Sequence, residues 1–247
     1  MIMNIKAFII TSFAISSSIL ANSQERIVQN RPYTDLRPFH LGISIGTHVQ
    51  DLELMNVGPQ TTNNIDGTIT KQLITTDQSR WDMGFNVGVY GEFRINEFLQ
   101  MRIAPTMYFG SRHIVFHNSS TATVTENQQD MKTVYICAPI DLIFAAPRFN
   151  NHRPYILGGI SPAINLSGKD KDYIKLKRYD TFAEIGLGCD FYLPFFKVRP
   201  ELKFMYSLIN SLDKDHIKRI EDKSMLPYSN SINEAHSKMI VLTFYFE

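Results

Sequence analysis

Apolar residues recur at every second position along most of this chain, and a period of two predicts strands, not helices. The run WDMGFNVGVYGEFRI (81–95) sets Trp81, Met83, Phe85, Val87, Val89, Phe93 and Ile95 against Asp82, Gly84, Asn86, Gly88, Tyr90, Glu92 and Arg94. The run 39–50 opposes Phe39, Leu41, Ile43, Ile45 and Val49 to His40, Gly42, Ser44, Gly46 and His48. Similar runs at 98–110, 133–144, 153–166, 181–193 and 197–208, and a closing strand from Ser237, bring the total to eight. The final MIVLTFYFE puts Ile240, Leu242, Phe244 and Phe246 on one face, with Met239, Val241, Thr243, Tyr245 and Glu247 on the other. Prolines 105, 139, 162 and 200 fall inside these runs. Proline cannot donate to a ladder, so bulges or edges are expected there.

The connections alternate in length. Those at 95–98, 145–153 and 194–197 are short, and those at 51–80, 111–132, 167–180 and 210–236 are long and polar. Short turns at one end and long loops at the other predict an all-β, eight-stranded antiparallel up-and-down transmembrane barrel, with short periplasmic turns and long extracellular loops. The competing architecture is a soluble barrel whose apolar face points inward. Against it stand the non-aliphatic faces, which combine glycines with Glu92, Arg94, Arg102, Asp141, Glu184, Asp190, Arg199, Glu201 and Lys203. Such a face suits a narrow interior in which side chains fill the lumen and opposite charges pair.

The beginning of the chain gives the compartment. One positive charge precedes the apolar AFIITSFAISSSIL (7–20), and Ala21 and Ser23 supply the small residues of a cleavage site after Ser23. An anchored helix is the competing reading, but the stretch is short for a core of about 30 Å and no basic stop-transfer cluster follows. The expected organisation is a signal peptide at 1–23, a polar periplasmic arm at 24–38 and a barrel at 39–247. The expected address is the outer membrane of a Gram-negative bacterium. Removing the leader removes one base, Lys6, which leaves 24 basic against 24 acidic residues, so no basic bias argues for nucleic acid. Cys137 and Cys189, the only cysteines, have neither framework nor metal spacing.

No catalytic, cofactor or metal site is assigned. His113 and His117 resemble a helical metal pair, but an extended backbone separates them by about 13 Å. His40 and Ser44 are parted by the same arithmetic, although a neighbouring strand's acid leaves a lipid-modifying enzyme as a minor alternative. Asp213, Asp215 and His216 fit no established cation loop. The charged segments KDKDYIKLKR (169–178) and DKDHIKRIEDK (213–223) read either as solvated loops or as contacts for lipopolysaccharide phosphates or a partner protein. The second could form a short amphipathic helix. The arm QERIVQNRPYTDLRP (24–38) reads as a disordered leader or a docking arm, hanging on the periplasmic side.

In NRPYTDLRPFHLG (30–42), Pro32, Tyr33, Asp35, Arg37, His40 and Gly42 resemble the opening of the PorT proteins of the type IX secretion system. The block 84–112 is similar too, at Gly84, Phe85, Gly88, Arg94, Asn96, Glu97, Leu99, Arg102, Pro105, Phe109, Gly110 and Arg112. The likeness continues through 153–159, 173–180 and 184–204. It weakens at 51–80 and 210–236, and Glu247 departs from the terminal phenylalanine of many outer-membrane proteins. The resemblance implies a small, non-enzymatic barrel needed to export cargo with C-terminal sorting domains, a pathway that in related bacteria also serves gliding motility. The implied partners are outer-membrane lipid and other components of that system. The alternative is a generic structural or adhesive outer-membrane barrel.

Overall fold

The computed structural model describes residues 28–63, 69–120, 123–167, 172–219 and 225–247; the leader at 1–23 and the start of the arm lie outside the described residues, as do parts of the two charged segments. The strands are β1 (Phe39–Asn56), β2 (Pro59–Asn63), β3 (Ile69–Arg80), β4 (Met83–Arg94), β5 (Leu99–Ile103), β6 (Thr106–Ser120), β7 (Thr123–Cys137), β8 (Ile140–Ala145), β9 (His152–Asn165), β10 (Tyr179–Tyr192), β11 (Lys197–Ser207) and β12 (Ile232–Phe246). Every pairing is antiparallel. β1 joins β12 on one side and β4 on the other, and β9 joins β10, so the sheet closes on itself. β5 with β6, and β7 with β8, each form one wall strand broken at a proline, giving a ring of eight. At the breaks, the Pro105, Pro139 and Pro162 carbonyls accept from Val89, Ala104 and Ala138, at 3.1, 3.2 and 3.0 Å.

The outward face carries the apolar residues. Ile43, Phe85, Ile140 and Leu187 are 61, 55, 50 and 60 % exposed, an arrangement that only a lipid surround makes favourable. Along β1 this face runs from Phe39 to Val49. At about 3.3 Å per residue and a tilt of about 45°, it rises roughly 24 Å, the height of an outer-membrane apolar band. Trp81 and Tyr179 mark its extracellular rim, and Phe98, Phe149 and Phe195 mark the periplasmic turns. The soluble-barrel alternative fails on this arrangement.

Two of the expected long loops are mostly strand. β1 runs on to Asn56, β2 and β3 form a hairpin within 51–80, and β6 and β7 continue to Ser120 and from Thr123. The physical reason is a change of solvent. Beyond the band the outward side chains meet water and are mostly polar, while Leu52, Ile74, Ile114, Phe116 and Met131 turn inward. They pack with Ile174, Leu176 and Leu212 from the remaining loops, and with Ile232 and Ala235 at the start of β12, into an apolar cluster above the lumen. The Gln129 side chain fixes one loop to this cap, donating to the Ile174 carbonyl at 3.1 Å and accepting its N–H at 3.0 Å.

The arm does not hang free. Residues 28–38 fold across the periplasmic mouth as a strap with a 3₁₀ turn at Thr34–Leu36. Both ends of the barrel are therefore occupied by the chain itself.

The change of solvent along each strand is testable. Ile43→Arg, near the middle of the band, should lower the unfolding free energy in lipid vesicles by about 2–4 kcal/mol. Thr75→Arg, outward on β3 above the band, should change it by less than about 0.5 kcal/mol. Urea unfolding followed by tryptophan fluorescence measures both.

Candidate functional site

The inward face of the barrel wall is where the chemistry-bearing residues converge. Strand register creates a row around the wall: His40 on β1 faces Glu92 on β4, which faces Arg102 on β5, which faces Asp141 on β8. Asp141 and Glu184 both face Gly159 of β9, from opposite sides. A Cβ on Gly159 would stand 2.4 Å from Asp141 Oδ1, so only glycine leaves the aspartate its place. From β11, Arg199, Glu201 and Lys203 also point inward, each at most 2 % exposed.

These residues form two linked clusters. In the first, Arg199 donates to Asp190 from Nε at 2.5 Å and from Nη2 at 3.2 Å; it also holds Glu92 through a short contact from Nη1 and a 3.1 Å bond from Nη2. In the second, Arg102 donates to Glu201 at 2.5 Å, and the Tyr155 hydroxyl donates to the same oxygen at 2.7 Å. Lys203 Nζ stands 3.8 Å from Asp141, 3.7 Å from Glu184 and 3.7 Å from Glu201. Pairs this dry draw their compensation from each other, because no solvent is near.

Arg94 is a correction. It has the parity of Glu92, but β4 ends there, and its guanidinium lies at the periplasmic rim and donates to the Asn96 carbonyl at 3.3 Å. The expected face thus retains five acids and three bases, not the near balance the sequence pattern implies.

Below the clusters lies the strap. Arg31 and Tyr33 adopt left-handed backbone, φ 47° and 66°. This conformation costs a residue with a Cβ about 1–2 kcal/mol, so contacts must hold the strap. Asp35 sits 3.6 Å from Arg148 and 3.5 Å from Arg153, and it accepts a short bond from the Tyr192 hydroxyl. The Arg148 guanidinium stacks 3.6 Å over the Tyr192 ring and donates to the Asn30 and Arg31 carbonyls. Of the remaining motif residues, Pro32, Tyr33 and Arg37 are exposed. His40 is buried inside the mouth. Gly42 makes room for the Tyr90 ring, whose Cε1 would stand 2.5 Å from a Cβ at that position.

Glu247 links the strap to the last strand. Its backbone pairs with Lys197 in both directions, and its carboxylate meets Lys197 Nζ at 2.5 Å and His40 Nδ1 at 2.8 Å. Arg31 lies 3.6 Å from that carboxylate and donates to the Glu247 carbonyl at 3.0 Å. Burial alone would raise the Glu247 carboxyl, but the His40 hydrogen bond and the Lys197 charge outweigh it and hold the group at about 2.

Sequence reasoning missed Arg153, the partner of Asp35, and four further residues. Arg112 and Asp180 have inward parity, but they sit just past the expected strand ends at 110 and 181. Arg112 is fully buried, with Nη1 donating to Ser237 at 3.3 Å; Asp180 accepts from Ser207 at 2.6 Å and from Ser211 at 2.5 Å. Lys197 has the parity of Arg199 and was legible as inward. Arg148 lies in a turn and left no periodic signal.

The enzyme and metal candidates do not assemble. His113 pairs with Asp82 and His117 with Glu126, so the two rings serve different carboxylates on the outer surface. His40 engages Glu247 and not Ser44. The segment Lys214–Arg219 is a 3₁₀ helix, within which His216 is buried against the Asp172 carbonyl at 2.7 Å. Among the described residues no three His, Cys, Asp or Glu side chains converge on a metal position.

The strap should respond to acid in a defined window. Because the Glu247 carboxyl is depressed, its contribution is complete above the unfolded value near 4.5 and is lost as pH falls through about 2. Glu247→Gln should make the amides of Leu36 and Arg37 exchange faster at neutral pH. Glu126→Gln, on the extracellular hairpin, should leave them unchanged; hydrogen exchange with mass spectrometry reads both.

Residues 22–213 match the family model described as outer membrane protein beta-barrel domain. No curated protein matches the chain. Among solved structures, Neisserial surface protein A is similar at a TM-score of 0.45 and 9 % identity, over 85 % of this chain and 98 % of that one. OprG from Pseudomonas aeruginosa is similar at 0.42 and 11 %, over 84 % and 95 %. Ail, the attachment invasion locus protein of Yersinia pestis, solved with the heparin analogue sucrose octasulfate, is similar at 0.37 and 14 %, over 85 % and 100 %. With the family model spanning most of its length, the chain belongs to the outer membrane protein β-barrel domain family.

Proposed function

We propose that this outer-membrane barrel is a non-enzymatic component required for type IX secretion, acting as an accessory or assembly factor and not as the conduit. The observation that carries the reading is the strap. The segment 30–42, which resembles PorT proteins, is held against the mouth through Asp35, Arg148, Arg153, Tyr192 and Glu247. It displays Tyr33 and Leu36 to the periplasm, 79 and 58 % exposed. A rigid, partly apolar periplasmic face suits docking of another secretion component. A lumen filled with side chains and closed at both ends does not suit passage of cargo.

A second reading, a structural or adhesive barrel, draws support from the strand hairpin β6–β7, which rises beyond the apolar band. Contact of the extracellular rim with lipopolysaccharide phosphates is compatible with either reading.

Surface display of sorting-domain cargo separates them. Deleting the gene, or replacing Asp35 with Ala in a barrel that still folds, should leave cargo unprocessed in the periplasm. Normal display in both strains would overturn the secretion role. Shortening the β6–β7 hairpin should spare display; loss of adhesion alone would favour the second reading.

A further inference from the structure

Among the described residues the buried acids and bases are evenly matched over the whole barrel, but not locally. The sharpest imbalance lies in the second cluster, where Asp141, Glu184 and Glu201 face only Arg102 and Lys203. All five side chains are at most 1 % exposed. Glu201 is served by Arg102 and Tyr155. Among the described residues no group donates a hydrogen bond to either oxygen of Asp141 or of Glu184. Arg102 approaches Asp141 no closer than 3.5 Å, and Lys203 stays 3.7 Å or more from all three acids.

Register explains why the two unserved carboxyls belong together. Asp141 and Glu184 flank Gly159 from adjacent strands, and the missing side chain opens the space between them over β9. The other titratable groups facing this space do not supply the missing charge. Toward the extracellular end stand Tyr108 on β6, Tyr135 and Cys137 on β7, with Phe182, Met205, Met239 and Val241, a layer that is apolar or neutral. Toward the periplasm stand Tyr155 on β9, Tyr245 on β12, Tyr90 and Glu92 on β4, and Asp190 on β10 with Arg199 on β11, whose guanidinium is already taken by two acids. β1 contributes the neutral Ser44 at this height.

We propose that Asp141 and Glu184 share one proton at neutral pH, as a carboxylic acid–carboxylate pair bridged over Gly159. One carboxyl then donates to the other, and two negative charges remain opposite Arg102 and Lys203. The proton is taken up from water while the strands close, because two like carboxylates brought this near without solvent cannot both stay ionised. The apolar layer on one side and the strap on the other then isolate it from bulk water.

Infrared spectroscopy of the folded protein in lipid vesicles tests this. The wild type should show a protonated-carboxyl carbonyl band at neutral pH. The band should shift when either glutamate or aspartate is isotope-labelled, and it should move only slowly when the vesicles are transferred into D2O. Glu184→Gln and Asp141→Asn should each remove it, since two carboxylates then face two cations. Glu92→Gln should keep it, and Lys203→Met should double it. Should a lumen variant fail to insert, as judged by heat-shifted gel migration, the labelled wild type decides alone. Absence of the band in the wild type, its survival in both carboxamide variants, or its loss in Glu92→Gln would overturn the proposal.

Discussion

A charge inside a wall surrounded by lipid can be compensated by little except its neighbours, and that constraint organises the barrel interior. Outside, the strands present aliphatic and aromatic residues because they meet hydrocarbon. Inside, the alternate positions form a column too narrow for bulk water. The register of β1, β4, β5 and β8 sets His40, Glu92, Arg102 and Asp141 side by side, so neighbours in the ladder are neighbours in charge. A one-residue slip in any strand would put these charges in lipid and the aliphatic residues in the lumen. The charge row therefore selects the register as firmly as the apolar face does.

The distribution of sign along the axis is uneven. The inner lumen is rich in acids, whereas the periplasmic end gathers Arg31, Arg148, Arg153 and Lys197 around Asp35 and Glu247. With its amide turned to donate to Glu92, Gln100 bridges Glu92 and Arg153 at 3.0 Å to each, which ties the two regions together. Arg199 serves Glu92 and Asp190, and the positive charge at the mouth reaches Glu92 through Gln100. Asp141 and Glu184 lie beyond the Arg199 layer and gain little from it.

Much of this was legible in the sequence. Period-two faces from Phe39 to Val49 and from Trp81 to Ile95 gave the lipid-facing wall, and turns near 95–98, 145–153 and 194–197 fell where the chain reverses. What escaped was each feature whose signal depends on solvent or on the far end of the chain. The extracellular strands were hidden because apolar residues there face inward: Ile74 and Phe116 break the outward pattern established by Phe85 and Phe109. Arg112 and Asp180 were lost with those strand ends. Arg94 was misplaced because parity says which face a residue takes and not how far along the barrel the lumen extends. The strap was unreadable for a different reason. Its partners Arg148, Tyr192 and Glu247 lie far along the chain, and no local pattern in 24–38 announces them.

The contacts of Glu247 join the strap, β1 and β11 at one point of the ring. Glu247 reaches Lys197 only because β12 pairs with β11, and reaches His40 only because β12 also pairs with β1. Both pairings must exist before its carboxylate stands where Arg31 can meet it. A strap with two left-handed residues and one short 3₁₀ turn has little reason to hold its shape alone. The Arg31 anchor of the strap thus requires the closed barrel. The Glu247 carboxylate is the group that ties Arg31 of the strap to His40 and Lys197 on the two neighbouring strands: a phenylalanine at this position could keep the backbone pairing with Lys197, but it could not offer these ion pairs.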